Sequence, residues 1–110
     1  MSLELHRRQR LGATDVAAAL KSRHIERRER LTLYCRTNQL AYARLALIVP
    51  KKLVSGAVHR NRIRRLIREA FRLQQVQLNG LDCVVRLTKS PGLNPLSLEE
   101  VSQLLSRNSR

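Results

Sequence analysis

Between residues 58 and 72 the chain carries Arg60, Arg62, Arg64, Arg65, Arg68 and Arg72 against a single acid, Glu69, with apolar residues at helical spacing between them. Guanidinium groups at this density favour bidentate contacts to phosphate over diffuse charge neutralisation. On an isolated helix the same residues would be a burden, because like charges three or four positions apart repel by a few tenths of a kcal/mol per pair. Arg60, Arg62, Arg64 and Arg65 also crowd the helix start, where the macrodipole is already positive. A docked polyanion reverses both penalties, since free backbone N–H groups and arginines together form a phosphate site. The run points to a nucleic acid.

Composition agrees. A chain of 110 residues is one domain with one modest core, and its 43% hydrophobic content is normal for a folded protein. With 22 Lys and Arg against 8 Asp and Glu, the formal charge of +14 calls for a large anionic partner. A membrane surface would need a basic helix with its apolar face free to enter lipid, and in so small a chain the core claims that face. The longest apolar run, 45–49, is too short to span a bilayer, and residues near Met1 lack the apolar stretch of a signal peptide. The expected setting is the cytoplasm, with no membrane partner.

Catalysis by the protein itself would require carboxylates converging on a metal or an acid–base pair. The acids are scattered instead. Glu26 and Glu29 sit among arginines as local ion pairs, Glu99 and Glu100 serve the cap of a last helix, and Glu69 relieves repulsion beside Arg65 and Arg72. His6, His24 and His59 have no partner at useful spacing, so no catalytic residue and no metal site is expected. Cys35 and Cys83 are isolated residues in strand-like runs, consistent with buried free thiols. Of the aromatics, Phe71 belongs to the core, whereas Tyr34 lies beside Arg36 on the polar face of its strand and suits stacking on an unpaired base.

These residues must be positioned by a small set of elements. Residues 1–12 read as a mobile basic arm with Arg7, Arg8 and Arg10, followed by a single α/β domain over 13–108. Thr14 caps a short first helix with Val16 and Leu20 on one face, and 24–30 is a charged connector. Residues 31–36 alternate as a strand, with Leu31, Leu33 and Cys35 on one face and Thr32, Tyr34 and Arg36 on the other. A turn at 38–40 leads to 43–49, apolar enough for a central, two-sided strand. Pro50 ends its pairing, and a short extra strand is conceivable at 51–54. The basic helix runs from Ser55-Gly56 to about Val76, with Ile63, Leu66, Ile67, Ala70, Phe71 and Leu73 along its apolar arc. A third strand over 82–88, a turn at 90–95 and a helix begun by a Ser97…Glu100 capping box complete an α+β fold of three to four strands.

The segment Arg44-Leu45-Ala46-Leu47-Ile48-Val49-Pro50-Lys51-Lys52, followed by the Arg60-Asn61-Arg62 core and Ile63-Arg64-Arg65-Leu66-Ile67-Arg68-Glu69, closely resembles the bacterial ribonuclease P protein subunit. The resemblance extends over about residues 14–105. It implies a small α/β sandwich with a left-handed crossover through the basic helix. It also implies binding to a large catalytic RNA, whose complex removes the 5′ leader of precursor tRNA using magnesium held mainly by the RNA. No obligate protein partner is implied. Carried over by position, Lys51, Lys52, Arg60, Asn61, Arg62, Arg64, Arg65 and Arg68 resemble RNA contacts. Val16, Leu20, Tyr34 and Arg36 fall in the family's leader cleft. Val16 and Leu20 stand where the family often has two Phe residues, so stacking on the leader should be weaker here and more apolar.

Two other classes fit less well: a structural rRNA-binding or ribosome-assembly protein, and a nuclease made of protein alone. If about six phosphates are neutralised on a largely structured RNA, log K should fall against log salt with a slope of about −4 to −5. Arg64→Ala and Arg68→Ala should each flatten that slope by about one unit in filter-binding titrations.

Overall fold

In the computed structural model, which describes residues 7–106, the alternation of β2 (Leu31–Thr37) divides a sheet into two unlike faces. Leu31, Leu33 and Cys35 lie in the core cluster, while Thr32, Tyr34 and Arg36 occupy the reverse side. The sheet has four strands in the order β1 (His24–Arg27), β2, β4 (Leu81–Leu87), β3 (Arg44–Ile48). β1–β2 and β2–β4 are antiparallel, and β3–β4 is parallel. Parallel neighbours cannot be joined by a hairpin, and α2 (Ala57–Leu78) supplies the crossover.

One face is covered by α2 and α3 (Leu98–Leu105). Ile63, Ile67, Ala70, Phe71 and Leu78 of α2 and Val101, Leu104 and Leu105 of α3 are buried against Leu33, Cys35, Leu45, Cys83 and Val85. Helical periodicity thus places the apolar stripe of α2 inward and its arginines outward. The α3 cap forms as expected, with Ser97 Oγ accepting the Glu100 N–H at 3.1 Å. The carboxylate of Glu100 does not return to the cap. It receives Arg30 Nη2 at 2.6 Å and Nε at 3.1 Å, fastening α3 to the start of β2.

Among the described residues the other face carries α1 (Ala13–Leu20), packed on β2 and β4. Its N-cap is Gly12, without a side-chain cap; Thr14, the expected cap, is an exposed residue inside the helix.

Several sequence expectations are corrected. Residues 24–27 of the charged connector are a strand, because an edge strand with one side open tolerates charges that a central strand would not. The segment 51–54 is a turn, in which Pro50 O accepts the N–H groups of Leu53 and Val54. The apolar 43–49 run ends the sheet rather than occupying its middle; β4, with Asp82, Cys83, Val84 and Val85 all buried, is the two-sided strand. Leu73 is 53% exposed, and Leu78 takes the last inward position of α2.

The expected basic arm is part of the fold from Arg7 onward; residues 1–6 lie outside the described residues. Arg10 forms a parallel bridge with Leu45, and Leu11 N donates to Leu45 O at 3.2 Å. Gln9 is buried, its amide donating to Ala43 O at 3.2 Å and Gln75 Oε1 at 3.0 Å, and the Arg8 guanidinium stacks 4.5 Å above the Tyr42 ring. These contacts lay 9–11 along the outer side of β3.

Asp82, with its side chain 3% exposed, is held by Arg44 through two bonds of 2.8 Å and by Asn38 Nδ2 at 2.9 Å. Arg44 Nη1 also reaches Asp15 of α1 at 3.4 Å. Arg44→Ala would leave a buried carboxylate with one neutral donor, so urea unfolding should show a loss of about 3 kcal/mol, most of it recovered in the double variant Arg44→Leu, Asp82→Leu.

Candidate nucleic-acid interface

The expected RNA-contacting residues converge at the first half of α2. Its N-cap, Gly56, makes no side-chain cap, and its first turn contains no acid, so the positive end of the helix is uncompensated from within. Arg62 and Arg65 are exposed, as are Asn61 and, at the turn after β3, Lys51 and Lys52. Arg64 is half-buried and donates to Asn61 Oδ1 at 3.3 Å, one turn away. Arg68 is half-buried on the same helix. Arg60 differs from its neighbours. Its Nη1 donates to Val54 O at 3.0 Å and Ser55 O at 2.9 Å, closing the loop that delivers the chain into α2.

Glu69 does not meet Arg65 as expected. Both its oxygens take Arg72, at 2.7 and 3.2 Å, and this contact holds the Glu69 carboxyl below its usual range and raises Arg72. Arg30 and Arg44 are likewise raised by the hydrogen bonds of Glu100 and Asp82. Each described acid is thus occupied: Glu26 with Arg28, Glu29 with Lys89, Asp15 and Asp82 with Arg44, and Glu99 with Gln103. Among the described residues no group of three or more His, Cys, Asp or Glu is placed to hold a metal ion. Nor, among the described residues, is any helix long and apolar enough to cross a membrane.

The second surface is the reverse face of the sheet. Strand register sets side chains there in rows. Arg36, Asp82 and Arg44 form one row, Ile25, Tyr34, Val84 and Ala46 the next, and Arg27, Thr32, Arg86 and Ile48 the third. α1 covers part of this face, where Ala19 and Val84 are fully buried and Asp15 reaches Arg44. Val16 and Leu20 are half-buried on α1, Tyr34 is half-buried on the sheet and Arg36 is exposed. Val16 and Leu20 thus stand on the helix that covers part of the face to which Tyr34 and Arg36 belong. Ile25, Arg27 and Arg86 share that face and were not singled out from the sequence. Arg86 was detectable from the alternation of β4; the other two required β1.

A family model for Ribonuclease P matches residues 5–108. The chain belongs to this family. A ribonuclease P protein component of Nitrosomonas europaea is 47% identical over 75 residues, covering 68% of this chain and 63% of that protein. One from Nitrosomonas eutropha is 38% identical over 102 residues, covering 89% and 84%. The matched part spans less than two thirds of the Nitrosomonas europaea protein and 64% of a Vibrio cholerae one. Among solved structures, the RNase P protein of Thermotoga maritima superposes with a TM-score of 0.73 at 28% identity, covering 87% of this chain and 90% of that one. The Staphylococcus aureus RNase P protein gives 0.73 at 26%, covering 88% of each.

Within this ribonuclease P family protein, Arg60 and Arg62 flank Asn61 symmetrically in sequence but differ in surroundings, Arg60 bound to two carbonyls and Arg62 exposed. Arg60→Ala should lower stability by about 1–2 kcal/mol in thermal unfolding, through loss of charged donors to two carbonyls. Arg62→Ala should leave the melting temperature unchanged and weaken RNA binding alone.

Proposed function

We propose that this chain is the protein subunit of ribonuclease P, acting in the cytoplasm to bind a catalytic RNA and the 5′ leader of precursor tRNA. The observation that carries the reading is the division of cations into two surfaces, on α2 and on the reverse face of the sheet, while the described acids are spent on internal contacts. The outward side of α2 suits the phosphates of a folded RNA, which arginine forks and a positive helix end grip without reading sequence. The reverse face suits a single strand: Tyr34 offers a stacking surface, Val16 and Leu20 offer apolar contact, and Arg27, Arg36 and Arg86 lie within reach of a backbone.

The protein contributes binding and alignment to an endonucleolytic step performed by RNA. Magnesium held by that RNA would activate the attacking water and stabilise the leaving oxygen. Holding the leader beside the scission point converts part of a bimolecular encounter into positioning, a large term in catalysis. Neutralising phosphates with fixed guanidiniums also reduces the number of metal ions the folded RNA requires.

Reconstitution with the catalytic RNA tests this directly. The protein should lower the magnesium concentration needed for 5′ leader removal, and RNA-free protein with magnesium should not cleave. Tyr34→Ala should weaken binding of leader-bearing precursor by about 1–3 kcal/mol while leaving mature tRNA binding unchanged. Equal losses on both would refute the cleft assignment, and copurification with rRNA alone would favour a ribosomal role.

A further inference from the structure

A groove of about 570 Å³ runs along the flank of α2. One wall is a single helical face, His59, Arg62, Leu66 and Glu69, with Arg65 beside it. The opposite wall is the loop Pro91, Gly92, Pro95 and Leu96, and the floor is Val54 and Ile63, each 8% exposed. The volume falls in the ~300–1,000 Å³ range of small-ligand sites, and the apolar lining with a few polar groups at the rim is the usual composition of such sites.

Both walls are fixed before anything binds. Gly92 adopts φ +59°, a left-handed conformation suited to glycine, and Asn94 N closes the turn on Pro91 O at 3.0 Å. From behind, Arg30 Nη1 donates to Asn94 O while the same guanidinium is held by Glu100. On the helix side the His59 ring leans on Gly56 so closely that a Cβ there would lie 2.9 Å from His59 Cδ2. A preformed groove avoids much of the ordering cost of binding.

The charge at the rim selects the occupant. Among the described residues Glu69 is the one acid lining the groove, and Arg72 holds both of its oxygens, whereas Arg62 and Arg65 stand exposed at the mouth. An apolar slot beside two guanidiniums fits a ligand with a flat apolar body and an attached phosphate. We propose that the groove receives one unpaired nucleotide extruded from the bound RNA, with its base between Leu66 and the 91–96 loop and its phosphate on Arg62 and Arg65. This rests on the reading of α2 as an RNA-contacting helix and adds a base-binding slot to it. RNA presents such bases at bulges and loops, and proteins bind them between side chains that need not be aromatic.

Adenosine 5′-monophosphate, uridine 5′-monophosphate and ribose 5-phosphate, titrated separately into the full chain with labelled leucine methyls, test the proposal. Both nucleotides should move the methyl resonances of Leu66, Leu96 and Leu53, which also lines the groove, and ribose 5-phosphate at equal concentration should not. Leu66→Gln, checked for an unchanged fold by circular dichroism, should weaken the nucleotide response about tenfold. Leucine shifts of equal size with ribose 5-phosphate, or no leucine shift with either nucleotide, would overturn the proposal. If the protein still reconstitutes with catalytic RNA in that event, the groove alone is lost. Nucleotide shifts in a protein that fails to reconstitute would instead reject the subunit reading.

Discussion

The ion pair between Arg44 and Asp82 is the joint on which the reverse face of this protein depends. The two residues are direct partners in the parallel β3–β4 register, and Arg44 extends the contact to Asp15 on α1. Burying such a pair gains little net stability, since desolvation consumes most of the attraction, and an apolar pair of similar volume would do as well or better. Its value is geometric. Two parallel bonds fix the plane of the guanidinium, and the remaining nitrogen then defines where the first turn of α1 can lie. With α1 held there, part of the reverse face stays uncovered, and Tyr34 remains half-buried rather than sealed in a second core.

The opposite side of the molecule is governed by the double duty of α2. A stripe of Ile63, Ile67, Ala70 and Phe71 is fully consumed by the sheet and α3, so the arginines on the other arc have no choice but to face solvent. The few acids are deployed at joints: Glu100 ties α3 to β2 through Arg30, and Glu69 neutralises Arg72 where α2 passes beyond its cationic half. Repulsion among the rest is tolerated because the apolar stripe stabilises the helix independently of its exposed face. The exposed arginines of α2 and the residues of the reverse face therefore lie on different sides of one sheet and share no side chains.

Much of this was legible in the residues themselves. The alternation of β2, the apolar stripe of α2 and the Ser97 cap each express a local rule that packing did not override. The failures have specific causes. β1 contains one apolar residue, Ile25, among charges, so its strand character comes from pairing with β2 rather than from its own pattern. The apolar 43–49 segment suggested two buried faces, but within β3 only Leu45 is buried, and the strand ends the sheet with 9–11 laid along its outer side. Gln9 carries no sequence signal of burial, and nothing distinguishes Arg60 from Arg62 until the Val54 and Ser55 carbonyls are seen beside one of them. The reverse face of the sheet was legible on β2 and invisible on β1, so Arg27 and Ile25 were missed together.

The segment laid against β3 has a consequence for solubility. A sheet edge with free N–H and C=O groups is a template for pairing with another chain, and strong like charge is one way of keeping copies apart. For a protein of formal charge +14, that protection vanishes when a polyanion neutralises the surface. The edges are then guarded by structure instead. Arg10 and Leu11 occupy part of the outer side of β3, and β1 at the other end is only four residues long with His24, Glu26 and Arg27 on it. The fold thus resists self-association under the one condition in which its charge no longer can.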